Sequence, residues 1–592
     1  MANYYGDKPY DGPESIAVTM DIGTTNSAVA FVYCCPRYRP KAQMVSHWPG
    51  QSRFNDGSKT PTIVSYQAGK LKACAAQAMQ DLEEHPENVA RWFKLHLHPA
   101  TMSTTQAFEI PPLPVGVSIE RVYADIMRYL MDGTQRFFER TIPNGPEIWA
   151  RVRNTIIVVL ATPNGWGIRE QVVLRNAAIR ASLVKEETAG QLVQFVTESE
   201  ASVHYALAYP DSRWLKRNVI FAIIDCGGST ADTTVYRCVS TDPLSLKEAC
   251  PSECIQAGGI FVDREVEKML KGKLQGCSLN HPNVIKSMIN AFETVLKQEF
   301  DGLSDEYNLK FGSGIEKDLS VGINNGKITL SNENLKPAFD IVVDQIIKSC
   351  LGPLIKQRAK HAILVGGLAD SPYVRAALEK ALDKHDISVI SGGDSANKAA
   401  AEGAVIAHIK QFVVARAAKA TFGGCVRAQY EKKLHHERKH TVQVYPDGKQ
   451  RVDGAFHAWI PKGTVLRGTF AHKLSYHVAW DATSPSETDL IGGLGTTRIE
   501  IFAWEGDDIP TWCKDEQGRV MNGMRLICTL QTNLSALAGG LELKKGTRGR
   551  RFYQVDYDVC VYFGGTQLRA KLQWKEKGKL REGPVTVMPY LY

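Results

Sequence analysis

"VTMDIGTTNSAVAFVY", residues 18–33, reads as two apolar β-strands joined by a turn at Gly23-Thr24-Thr25. Asp21 closes the first strand, and a glycine with two hydroxyls follows it. Glycine lets backbone N–H groups come close to a ligand and threonine hydroxyls add donors, so this turn can cradle a polyanion. The pattern returns in "VIFAIIDCGGSTADTTVY", residues 219–236, as strand, Asp225, Gly227-Gly228-Ser229-Thr230 and strand. A third glycine turn, "LVGGLADS" at 364–371, follows a buried strand, and Gly366-Gly367 there can let a flat base approach the backbone. Any one of these is explained by a tight hairpin. Together they suit a nucleoside triphosphate gripped by two facing, acid-tipped hairpins, with Asp21 and Asp225 holding Mg²⁺ through its water shell.

Outward from these turns the chain alternates strand and helix patterns as far as Phe412. "TIIVVLATP" at 155–163 is a buried strand stopped by proline, and "REQVVLRNAAIRASL" at 169–183 carries apolar residues at helical spacing. "SANKAAAEGAVIAHIKQF" at 395–412 is a small-residue helix suited to close packing. Beyond it the texture becomes β: "HTVQVYPDGKQRV" at 440–452 is a hairpin turning on Pro446-Asp447-Gly448. The expected fold class is α/β, a two-lobed actin-like (ribonuclease H-like) nucleotide-binding domain over 16–412, followed by a mostly β domain over 413–592. Lobe I covers about 16–220 and lobe II about 221–412, with 1–15 as an N-terminal tail.

The totals narrow the function. In 592 residues, 44% hydrophobic and 23% charged is the composition of globular domains, and a formal charge of +8 is too small to argue for nucleic acid. No apolar run reaches bilayer length and the N-terminus lacks a signal pattern, so no membrane contact and a cytoplasmic location, the nucleus included, are expected. Thirteen cysteines, an odd number spread over a long chain, form no disulfide framework. His436-Glu437-Arg438-Lys439-His440 matches a zinc-protease pattern, but its charged surroundings read as a solvated loop. His96 and His98 alternate as on a strand, and two imidazoles make no site. "LKKGTRGRRF" at 543–552 is a basic turn, read as solvated, with an anionic partner the lesser reading. No Gly-x-x-x-x-Gly-Lys-Ser/Thr loop is present.

The three glycine turns resemble the two phosphate motifs and the adenosine motif of the actin, sugar-kinase and heat-shock ATPase superfamily. Within it the chain is most similar to the seventy-kilodalton heat-shock chaperones: "TPTIVSY" (60–66), "VTESEASVHYAL" (196–207) and "AGGIFVDREV" (257–266) resemble further family segments, and "WIPKGTVL" (459–466) its entry into the β domain. The resemblance implies ATP/ADP and Mg²⁺ as cofactors. Asp21 and Asp225 would organise metal and water, and Gly23, Thr24 and Thr25 would bind phosphate. Lys94 would steady the γ-phosphate, although by itself it reads as a solvated lysine ahead of a loop. Glu198 would orient the attacking water. Gly227, Gly228, Ser229 and Thr230 would form the second phosphate loop, with Asp232 just behind it. Gly258 and Gly259 would lie near the nucleotide, Glu293 and Lys297 would be an acid–base pair over ribose and base, and Gly366 and Gly367 would face adenosine.

The resemblance also implies polypeptide clients and partner proteins such as nucleotide-exchange and co-chaperone factors. The departures count too. Ser199 stands where the family has a proline, Ser229 replaces a glycine, and Asp370 stands where an arginine packs on adenine. The linker around 410–424 is less acidic than the family's, and no helical lid follows the β domain, as in a divergent, lidless branch. The expected function is a slowly hydrolysing, ATP-controlled polypeptide binder. The alternatives are a non-hydrolysing nucleotide-binding scaffold and a small-molecule kinase, the latter opposed by the extra β domain.

Overall fold

The computed structural model describes residues 9–51, 57–99, 102, 109–208, 213–391, 399–468, 471–482, 494–564 and 568–589. The first half of the 1–15 tail and the start of the 395–412 stretch lie outside them. The chain divides into two compact units, Met1–Trp166 with Val173–Val413, and Gly167–Val172 with Val414–Tyr592.

In the first unit, β1 (Ser15–Ile22) and β2 (Asn26–Cys34) pair antiparallel with Asp21 opposite Ala28. β3 (Ile157–Thr162) runs parallel on the other side of β1, placing Ala161 beside Asp21, and β4 (Val193–Thr197) extends the sheet. A second sheet repeats this construction. β5 (Ile220–Cys226) pairs antiparallel with β6 (Ala231–Thr241), Asp225 opposite Asp232. β7 (His361–Val365) lies parallel to β5 with Val365 beside Asp225. These central strands are continuous apolar runs because both faces of each sheet are covered. On the first sheet, Val18 and Phe31 share a core with Ile126 and Leu130 of the helix Ile119–Thr141.

Three helices position the site: α1 (Glu198–Ala208), α2 (Gly259–Lys273) and α3 (Ala399–Lys410). The alanines of α3 bury Ala401 and Val405 against Ala17, Ala28 and Ala30 of the first hairpin, and the Thr19 hydroxyl donates to the Ala401 carbonyl at 2.7 Å. α3 meets α1 at Gly403, where a Cβ would fall 1.9 Å from the Ala201 carbonyl oxygen. Small residues are required here because the two backbones touch. Just past α3, the Phe412 N–H donates to His204 Nε2 of α1 at 2.8 Å, and the two rings stack 4.8 Å apart.

The second unit is β-rich. One sheet runs in the order Gln443–Val444, Gln450–Ile460, Thr421–Gln429, Thr496–Trp504, Met524–Asn533, Thr586–Pro589. The other runs Ala471–Asp481, Arg551–Tyr562, Arg569–Glu576, Lys579–Pro584, with Glu542–Lys545 also on Arg551–Tyr562. Trp459, Ile501 and Leu530 of the first pack with Leu474, Val559 and Leu572 of the second. The hairpin at 443–451 forms around Pro446-Asp447-Gly448 as its turn residues require.

Two local expectations fail. Phe93–Leu97 is a 3₁₀ helix entered through the left-handed Trp92, so His96 and His98 do not alternate on a strand. His436–Thr441 forms 3₁₀ turns kinked at Arg438 rather than an open solvated loop, and Arg438 is buried with its guanidinium 3.8 Å from the Trp512 ring centre. In this segment His440 bonds Glu516 at 3.2 Å.

Candidate functional site

The tips of the two hairpins meet. Thr24 Oγ1 and Ser229 Oγ, from turns of different sheets, lie 2.6 Å apart and are buried. Around this contact opens a cavity of about 1330 Å³. Every residue singled out from the sequence for catalysis, nucleotide or metal lines it, except Gly258 and Asp232, the latter expected just behind the second loop. Gly258 sits directly behind the second turn, where a Cβ would lie 2.6 Å from the Gly228 carbonyl. From there α2 begins, and the Gly259 and Ile260 N–H groups donate to the Gly227 and Gly228 carbonyls at 3.1 and 2.9 Å. At the third turn Gly366 has φ +89°, and a Cβ there would meet Asp225 Oδ1 at 2.5 Å. Only glycine satisfies both demands.

Lys94 is not a solvated lysine. The 3₁₀ helix after Trp92 turns it inward, its side chain is 5% exposed, and Nζ donates to Glu198 Oε1 at 2.7 Å. Burial opposes its charge, but the Glu198 and Asp21 carboxylates outweigh that and hold its pKa above the ordinary value. Burial pushes the Asp21 carboxyl up, with the Glu198 charge adding to it. Asp225 is pushed up to about 8 by burial and by repulsion from Glu198, Asp232 and Asp21, although the Ser202 hydroxyl donates to it at 3.1 Å. Around the hairpin tips Lys94 is a buried cation among the carboxylates Asp21 and Asp225, while Lys59, Arg91, Arg264 and Lys297 line the same cavity farther out.

The supporting network was not legible in the sequence. Asn164 donates from its backbone to Asp232 Oδ1 at 3.0 Å, and from its side chain to the hydroxyls of Ser199 and Thr234 at 2.9 and 2.8 Å. Ser199, the departure from proline, is thus fully buried and engaged. His98 and Trp166 join the site as well: the Trp166 indole donates to His98 Nδ1 at 2.9 Å, and His98 Nε2 lies 3.3 Å from Ser229 Oγ. The sequence reading that dismissed His98 is corrected by this contact. So is the pairing of Lys297 with Glu293. The Lys297 ammonium instead binds both oxygens of Asp263 at 2.8 Å, because α2 brings that buried carboxylate beneath it. Burial raises the Asp263 pKa against the pull of Lys297, with Glu293 adding to the rise. Asp263 is the last residue of the Gly-Gly-x-x-x-Asp stretch, which was the available signal.

No protein-family description matches the chain. It is 24% identical over 469 residues to human heat shock 70 kDa protein 12B, covering 64% of this chain and 67% of that protein. This distant similarity supports a heat-shock-70-like relationship, in keeping with a mixed α/β unit beside a β-rich one.

Proposed function

We propose that the cavity holds ATP with Mg²⁺ in an actin-like, two-lobed arrangement, that it hydrolyses ATP slowly, and that the β-rich unit binds polypeptide under its control. The observation that supports this most is the direct contact of two acid-tipped glycine turns, Thr24 to Ser229, at the wall of a cavity large enough for a nucleotide.

The residues fit a hard cation. Asp21 and Asp225 offer oxygen donors whose charge burial and mutual repulsion disfavour, as expected where a cation is meant to complete the site. Bound Mg²⁺ would neutralise phosphate charge. Lys94 brings a second positive charge to the same wall, and Glu198, held by it, is placed to orient a water molecule for in-line attack. The hydroxyls of Thr24, Thr25 and Thr230 and the glycine turns supply donors for phosphate oxygens. Positioning and charge neutralisation are most of what phosphoryl transfer to water asks of a protein. Closure over nucleotide would act on α1, which carries Glu198 at its first position, Ser202 one turn on, and His204, bonded to Phe412, just beyond it. Such an element can couple the cavity to the start of the β-rich unit by a population shift.

Titration with a fluorescent ATP analogue, with and without Mg²⁺, tests the reading. Mg²⁺-dependent binding is expected, and no binding at millimolar nucleotide rejects it. One departure bears on how tightly the site would hold a nucleotide. Asp370 lines the cavity beyond Gly366-Gly367, where a carboxylate gives a base no cationic surface to stack on.

A further inference from the structure

The contact between the two turns leaves a question of proton supply. Two hydroxyls that bond each other use one O–H between them, so one O–H is left for a third partner. Beside Ser229 that partner could be the imidazole of His98, 3.3 Å away, or an anion in the cavity. Which one receives it depends on the imidazole tautomer.

The structure fixes that tautomer. Indole Nε1–H only donates, so His98 Nδ1, at 2.9 Å from it, must be the acceptor. In a neutral imidazole the proton then sits on Nε2, which donates to Ser229 Oγ. The ring is kept neutral by burial and by the nearby Lys94 charge, which push its pKa down to about 3. The Trp166 ring meets it edge-on with centroids 5.7 Å apart, and turning the imidazole over would give up the indole hydrogen bond.

We propose that His98 and Trp166 are positioning residues for the phosphate site: locked as the Nε2–H tautomer, His98 donates a hydrogen bond to Ser229 Oγ, and the Thr24–Ser229 pair keeps one O–H for a phosphate oxygen. With the opposite tautomer, Ser229 would donate to the imidazole, Thr24 to Ser229, and none would remain. This rests on the nucleotide reading for its ligand but not for its geometry.

Two measurements test it on the full chain. Long-range ¹⁵N–¹H correlation on histidine-labelled protein, with His98 assigned by its loss in H98Q, should show a neutral Nε2–H ring from pH 5 to 8. A ring protonated on Nδ1 overturns the proposal whether or not nucleotide binds. In ligand titrations, W166F should weaken ATP about tenfold while changing adenosine affinity less than twofold, as a lost hydrogen bond to a charged group requires. Equal weakening of both ligands, or unchanged ATP affinity, also overturns it. Should the unmodified chain bind no nucleotide at all, the proposed function fails and the spectrum alone decides the tautomer.

Discussion

At the scale of single residues, the buried carboxylates make the site costly until a cation arrives. Asp225 has its folded pKa pushed up to about 8 from an ordinary 3.8. Between those values the folded chain keeps a proton that the unfolded chain has lost, so this residue's contribution to stability falls as pH rises through the window. Asp225→Asn should therefore be stabilised relative to the parent by about 2 kcal/mol more at pH 8 than at pH 5, less than the full shift implies because buried sites relax. Urea unfolding at the two pH values without divalent cation measures it, and a pH-independent difference would contradict the assignment. Lys94→Ala removes the ion-pair partner of Glu198 and should abolish ATP turnover. Turnover left intact would show that Lys94 has no part in hydrolysis, and a parent chain that binds ATP without turning it over would point to the non-hydrolysing alternative. The acids themselves were readable in the sequence, because each ends an apolar run before a glycine. The Lys94–Glu198 pair and the role of His98 were not, since both depend on chain segments far apart in sequence. The run Phe93–Leu97 is also too short to show whether its alternation is that of a strand.

At the scale of elements, the packing of α3 on α1 is set by one missing side chain. Gly403→Ala would bring a methyl group within 1.9 Å of the Ala201 carbonyl oxygen, so the helices must part. A loss of about 2–3 kcal/mol is expected, in the range of overpacked cores. Because α1 carries Glu198 and Ser202, nucleotide binding should weaken with it. A variant as stable and as tight-binding as the parent would show that the helices can slide apart freely. The small-residue pattern of 395–412 announced close packing. It could not announce the partner, since alanine and glycine are compatible with any neighbour that comes near enough. The paired sheets were similarly half legible: buried strands stood out by composition, and their parallel order did not.

For the whole molecule, two compact units with separate cores predict separate unfolding. Calorimetry should resolve two transitions, and Mg²⁺ with ATP should raise only the one belonging to the first unit, by mass action. Movement of both together would mean that the units unfold as one. If polypeptide binding is coupled to the cavity, unfolded peptide should also change the rate of ATP turnover, and an unchanged rate across saturating peptide would separate the two activities.

The seam between the second turn and α2 has an electrical consequence. In a planar trans peptide, C=O and the following N–H point in opposite directions. The Gly227 and Gly228 oxygens face the first amides of α2. The N–H vectors of Gly228 and Ser229 must therefore aim away from the helix, and neither finds an acceptor among the described residues. The positive end of the helix thus orients two amide dipoles outward before any guest arrives, so this part of the receptor needs no rearrangement to take up negative charge.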